Sequence, residues 1–88
     1  MFINKKLFRR GAEIPVTEEL ENREKYMFNL IAMFTEDELK LAEKFAQQLS
    51  RENAYRYGVC VSEQTENHIT PYCVYWVFDL TPLKEMLK

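Results

Sequence analysis

Residues 17–50, TEELENREKYMFNLIAMFTEDELKLAEKFAQQLS, decide the fold, because the way they divide sets the number of helices. Thr17 reads as an N-cap, and Glu18, Glu19 and Glu21 crowd the first turn behind it, facing the positive end of a helix dipole. Leu20, Met27, Ile31 and Phe34 then fall on one face at helical spacing. The second half of that span, YMFNLIAMF (26–34), is apolar around most of a helical circumference. A helix there needs cover on more than one side, from a sheet, the next helix or another molecule. Thr35-Glu36-Asp37-Glu38 has the form of a capping box, so a second helix is expected to begin directly after Phe34. Its apolar stripe is Leu39, Leu41, Ala42, Phe45, Ala46 and Leu49; Lys40, Glu43, Lys44 and Gln47 form its solvated side, and it ends between Ser50 and Asn53. The expectation is a helical hairpin.

Outside this span the period changes. MFINKKLF (1–8) reads as an edge strand whose lysines discourage pairing with other molecules. Gly11 and the Ile14-Pro15 pair interrupt regular structure after it. Tyr55, Tyr57, Val59 and Val61 alternate with Arg56, Gly58, Cys60 and Ser62, as in a half-buried strand. SEQTENHITP (62–71) is polar and turn-forming. Tyr72 to Leu80 reads as the next strand, with Tyr72, Val74, Trp76, Phe78 and Leu80 on one face, and Thr81-Pro82 opens a short terminal helix. The reading is an α+β fold of two layers. A small antiparallel sheet, in the order β-α-α-β-β, carries the helical hairpin on one face, with a short C-terminal helix.

If the two larger apolar rows of the last two strands both face the helices, one register sets Cys60 opposite Cys73 and the next sets Ser62 opposite Cys73. Either places both cysteines on the face away from the helices, beside Arg56, Tyr75, Val77 and Asp79. That face is rich in aromatic and apolar residues for a solvated one. Arg56, Cys73, Tyr75 and Val77 are therefore the candidate partner-binding residues. The competing reading is that the N-terminal segment or the terminal helix folds over it.

The chain has 88 residues, 47% of them hydrophobic, and a formal net charge of −2. This fits a single domain, residues 1–88, with one modest core. The charge is unevenly spread, because residues 1–16 carry Lys5, Lys6, Arg9 and Arg10 against Glu13 alone. KKLFRR (5–10) is thus the candidate nucleic-acid contact, through Lys5, Lys6, Arg9 and Arg10, with phenylalanines for stacking. A basic edge strand accounts for the same residues. Acids at the two helix starts resemble a phosphate mimic, but capping and dipole effects already account for them. The N-terminus lacks the apolar region of a signal peptide, and no stretch is long enough to span a membrane as a helix. A cytoplasmic protein with two free thiols is expected.

Cys60, Cys73 and His68 are too few and too widely spaced for a structural zinc site. A cysteine nucleophile would need His68 as its base and lacks a third, orienting group. Asp79 is the carboxylate in the most apolar surroundings, with Arg56 as its expected ion-pair partner. No phosphate-binding glycine loop is present. These residues imply no metal, no cofactor and no small-molecule substrate. The expected function is a small non-enzymatic interaction or regulatory module that binds a larger protein or a second copy of itself. Accessory proteins of bacteriophages and mobile elements, which inhibit or modulate host proteins, have this character. The alternatives are a nucleic-acid-binding accessory protein that uses the basic N-terminal segment, and a small cysteine-dependent enzyme.

Overall fold

In the computed structural model, which describes residues 2–16, 26–66 and 72–86, strand β1 (Phe2–Arg9) turns at Arg10 and Gly11 into β2 (Ala12–Ile14). Both turn residues have positive φ, 55° and 83°. A two-residue hairpin turn of this hand matches the twist of the strands it joins. The other described strands are β3 (Tyr26–Phe34), β4 (Val59–Gln64) and β5 (Tyr75–Pro82). The five form one antiparallel sheet in the order β2-β1-β4-β5-β3. Helix α1 (Leu39–Leu49) packs on one face, a 3-10 turn spans Asn53–Tyr55, and a short helix α2 (Leu83–Met86) follows β5. The α+β class, the antiparallel sheet and the terminal helix agree with the sequence reading.

The helical hairpin does not form. Tyr26–Phe34 is strand β3, paired with β5 from Tyr26↔Pro82 to Phe34↔Tyr75, with a bulge at Ile31. Thr17–Lys25, the first half of the expected helix, lies outside the described residues. The apolar run suits a strand because both faces of this sheet are apolar. Ile31, Ala32 and Phe34 pack on the α1 side, while Leu30 and Met33 stand opposite Phe78 and Trp76 on the other. A continuous apolar run has no polar stripe from which helix and strand can be told apart, and here the edge of β5 decides.

The second predicted helix is α1. Half of the capping box forms: the Glu38 carboxylate accepts the Thr35 backbone N–H at 2.9 Å. The Thr35 hydroxyl, instead of accepting an amide, donates toward the Asp37 and Glu38 carboxylates at 2.6 and 2.8 Å. Ala42 and Ala46 are fully buried, and their small side chains let α1 lie close to the sheet, with the Phe34 and Phe45 rings 5.6 Å apart beside them. The stripe is narrower than its spacing suggests, since Leu39 and Leu41 are exposed.

The β4–β5 register overturns the expected parity. Val61 pairs with Val77, Cys60 with Phe78 and Ser62 with Trp76. Val59, Val61 and Val77 therefore lie under α1 with Phe8, while Cys60, Phe78 and Leu80 share the opposite face with Leu7. Neither Cys60↔Cys73 nor Ser62↔Cys73 occurs. Cys73 precedes β5, and Tyr72, expected in the strand, is 82% exposed outside it. The valines pack beneath the closely approaching alanines of α1. Ile14, Val16, Tyr57 and Trp76 pack against the buried cluster of this second face. Gly58 is needed where the chain enters β4. Its φ is 119°, and a Cβ there would stand 3.0 Å from Leu7 Cδ1 and 3.2 Å from the Phe8 carbonyl oxygen.

Candidate functional site

The uncharged run 26–34 now has a place: β3 is an outer strand of the sheet, and no described strand pairs with its far side. Near its centre Asn29 is exposed and Leu30 is 42% exposed. Natural edge strands are ordinarily blunted by lysine, proline or a bulge, and of these β3 carries the bulge at Ile31 alone. At its end, Phe34 stands opposite Tyr75, which lines a shallow concavity with Glu36, Asp37, Leu39 and Leu41. The Thr35 hydroxyl holds the Asp37 carboxyl below the usual range.

The candidate partner-binding residues do not share one face. Val77 is fully buried beneath α1 and offers nothing to a partner, which corrects its placement on an outer face. Tyr75 is half-buried on the α1 side. Cys73 is half-buried before β5, where its carbonyl accepts the Trp76 indole N–H at 2.8 Å. Arg56 lies in the turn before β4, not in a strand, and its guanidinium pairs with Glu85 at 2.7 Å and donates to the Tyr57 hydroxyl at 2.8 Å. It is not the partner of Asp79. One Asp79 oxygen accepts from the Thr81 hydroxyl at 3.3 Å, the other is buried without a hydrogen bond, and burial pushes the carboxyl above its usual range.

The basic N-terminal residues also diverge. Lys6 pairs with Glu43 of α1 at 3.1 Å, and Arg9 donates twice to the Tyr57 carbonyl, at 3.1 and 2.8 Å. Lys5 lies in the irregularity between Ile3 and Lys6, and Phe8 is buried in the core, where no base can stack on it. Arg10 alone projects from the hairpin turn, exposed. KKLFRR is therefore not one continuous arm.

Protein-family models, curated proteins and solved structures offer no match to this chain. The reading of function therefore rests on its own residues.

Neither cysteine is joined in a disulfide. Cys60 is buried at 1% exposure, burial pushes its thiol above the ordinary range, and its sulfur lies 3.4 Å from the Ser62 hydroxyl. An activated thiolate needs the opposite environment, exposed and electropositive. His68 lies outside the described residues. Among the described residues no group of three or more His, Cys, Asp or Glu side chains is placed to hold a metal ion, and no helix is long and apolar enough to cross a membrane.

Sequence reasoning missed two features. The Leu30 edge was hidden by the helical reading of 26–34, although an uncharged run of nine residues was itself the signal. Arg51, whose side chain lies against Gly11 of the hairpin turn, falls in the span where the second helix is expected to end and carries no local signal of that contact.

Proposed function

We propose that the protein is a non-enzymatic interaction module that takes up an extended, apolar segment of a protein partner along the outer edge of β3. The observation that carries this reading is a nine-residue strand without a charged side chain at the border of the sheet. Added strands bind through main-chain hydrogen bonds, with affinity tuned by alternate side chains in contact on either face. Leu30 and Asn29 are the side chains such a segment meets first, and the concavity beside Leu39, Leu41 and Tyr75 is the nearest apolar extension of that contact. A larger protein and a second copy of the chain both supply an extended segment of this kind.

Lysine at an exposed edge position opposes strand addition while leaving the sheet intact. The test compares the parent chain with Leu30→Lys and Asn29→Lys. Self-association is followed by light scattering, and capture of partners from the native host by affinity isolation. The expected result is that the associated species is lost in both variants, with thermal midpoints within a few degrees of the parent, since surface substitutions ordinarily change stability by no more than about 0.5 kcal/mol. Association that survives both substitutions, or a chain that associates with nothing, overturns the reading.

A further inference from the structure

We propose that Arg10, Arg51 and Arg56 form a binding site for a phosphate oxyanion, separate from the β3 edge and independent of the function assigned to it. The three arginines come from three segments: the β1–β2 turn, the residue pair just past α1, and the turn after the 3-10 helix. With Ser50, Glu52 and Asn53 they line an open concavity of about 630 Å³. Three arginines thus line a hollow whose other charged lining residue is Glu52.

The arginine at position 10 is not there for the sake of the turn. With φ of 55° it occupies the left-handed position that asparagine, aspartate and glycine fill readily and that an arginine enters at a conformational cost. Strained residues persist where their surroundings fix them, and they concentrate at functional positions. Here the surroundings do fix it. The Arg10 amide donates to the Ser50 carbonyl at 3.0 Å, the Gly11 amide donates to the Ser50 hydroxyl at 2.9 Å, and the Gln47 side chain donates to the Gly11 carbonyl at 2.8 Å. Arg51 lies across this turn so closely that a Cβ on Gly11 would stand 2.6 Å from its Nε.

Basic residues beyond a helix end commonly serve the helix itself, by capping its last carbonyls or offsetting its dipole. The carbonyls at the end of α1 are already satisfied. Ala46, Gln48 and Leu49 accept from the amides of Ser50, Arg51 and Glu52, Gln47 accepts from the Ser50 hydroxyl, and Ser50 accepts from Arg10. No guanidinium is used in this capping. Nor does any described residue ion-pair with the side chain of Arg10 or Arg51, whereas Arg56 is held by Glu85 and the Tyr57 hydroxyl. Two arginines without an ion pair to any described residue and one that is held in place therefore line the same hollow.

The convergence from three directions selects the ligand. A carboxylate offers two oxygens in one plane, which suit a single arginine fork, whereas a tetrahedral phosphate presents oxygens to several forks at once. The hollow is open, so it accepts either a free phosphate or the phosphodiester of a single-stranded nucleic acid.

The experiment follows the arginine Nε–H signals by NMR while inorganic phosphate, and separately a short single-stranded oligonucleotide, is added to the full chain. The variants are Arg10→Asn and Arg51→Gln. Both signals are expected to move in the parent, and each variant to weaken binding about tenfold, the scale of one charge-assisted hydrogen bond. Arg10→Asn should bind more weakly while its thermal midpoint stays the same or rises, because asparagine suits the turn. That combination separates the site from damage to the fold. If the oligonucleotide binds more tightly than phosphate, with a log–log salt slope of about −0.7 per phosphate neutralised, the ligand is a phosphodiester; if it binds no more tightly, the ligand is a free phosphate group. Arginine signals that respond to neither probe, or variants that bind as the parent does, overturn the proposal.

Discussion

Val61 and Val77 stand directly opposite each other across β4 and β5, both fully buried beneath α1. This one pair sets the parity of the whole hairpin, since every neighbour on either strand then alternates away from it. It also places Val77 in the main core with Phe8, Ala42, Ala46 and Val59, where no partner can reach it.

Truncating Val77 to alanine is accordingly expected to destabilise the protein by about 2 kcal/mol, through lost burial and the cavity left under the helix. Urea unfolding followed by circular dichroism measures this. Were Val77 an exposed contact residue, the midpoint would not move beyond error, and the register would then be wrong.

Asp79 gives the protein a pH dependence of definite sign. Its carboxyl is raised by burial, so the native state holds that proton more tightly than the unfolded chain does. Stability from this group is greatest below the unfolded carboxyl pKa, near 3.9, and declines as pH rises through the raised folded value. Asp79→Asn should therefore be more stable than the parent at pH 7, and the difference should shrink toward zero as pH falls to 4. Melts of both chains across that range check it. Asp37, lowered by the Thr35 hydroxyl, acts with the opposite sign and is present in both, so the difference between the chains isolates Asp79.

The two thiols should differ in reactivity. Cys60 is sealed in the second face with Leu7, Phe78 and Leu80, whereas Cys73 is half-buried ahead of β5. A disulfide reagent at neutral pH is expected to modify Cys73 first and Cys60 only as the sheet opens, with the two rates converging in denaturant. Peptide mapping after timed quenching identifies each site. Equal rates in the native protein would mean that the second face is not packed as described.

Several features of this fold were legible in local chemistry. Thr35 to Glu38 announced a helix start, Val59 and Val61 announced a strand, and Thr81-Pro82 placed the final helix, because each signal is complete within a few neighbouring residues. The candidate sites were less legible. Arg10 was visible as a basic residue before a glycine, but its meeting with Arg51 and Arg56 depends on the hairpin turn docking at the end of α1. Leu30 could be recognised as an edge residue only once β3 was known to be a strand.

The sequence by itself determined the α+β class, the position of α1, the strand character of β4 and much of β5, and the near-balanced charge. Tertiary structure decided the state of residues 26–34 and the facing of the last two strands. In both cases the apolar pattern is degenerate. An unbroken apolar run carries no period, and a strand whose two rows are both apolar, Tyr75 and Val77 against Trp76, Phe78 and Leu80, carries no preferred side. The deciding quantities were non-local: the edge of β5 onto which β3 could pair, and the packing of Val59, Val61 and Val77 beneath Ala42 and Ala46 of α1.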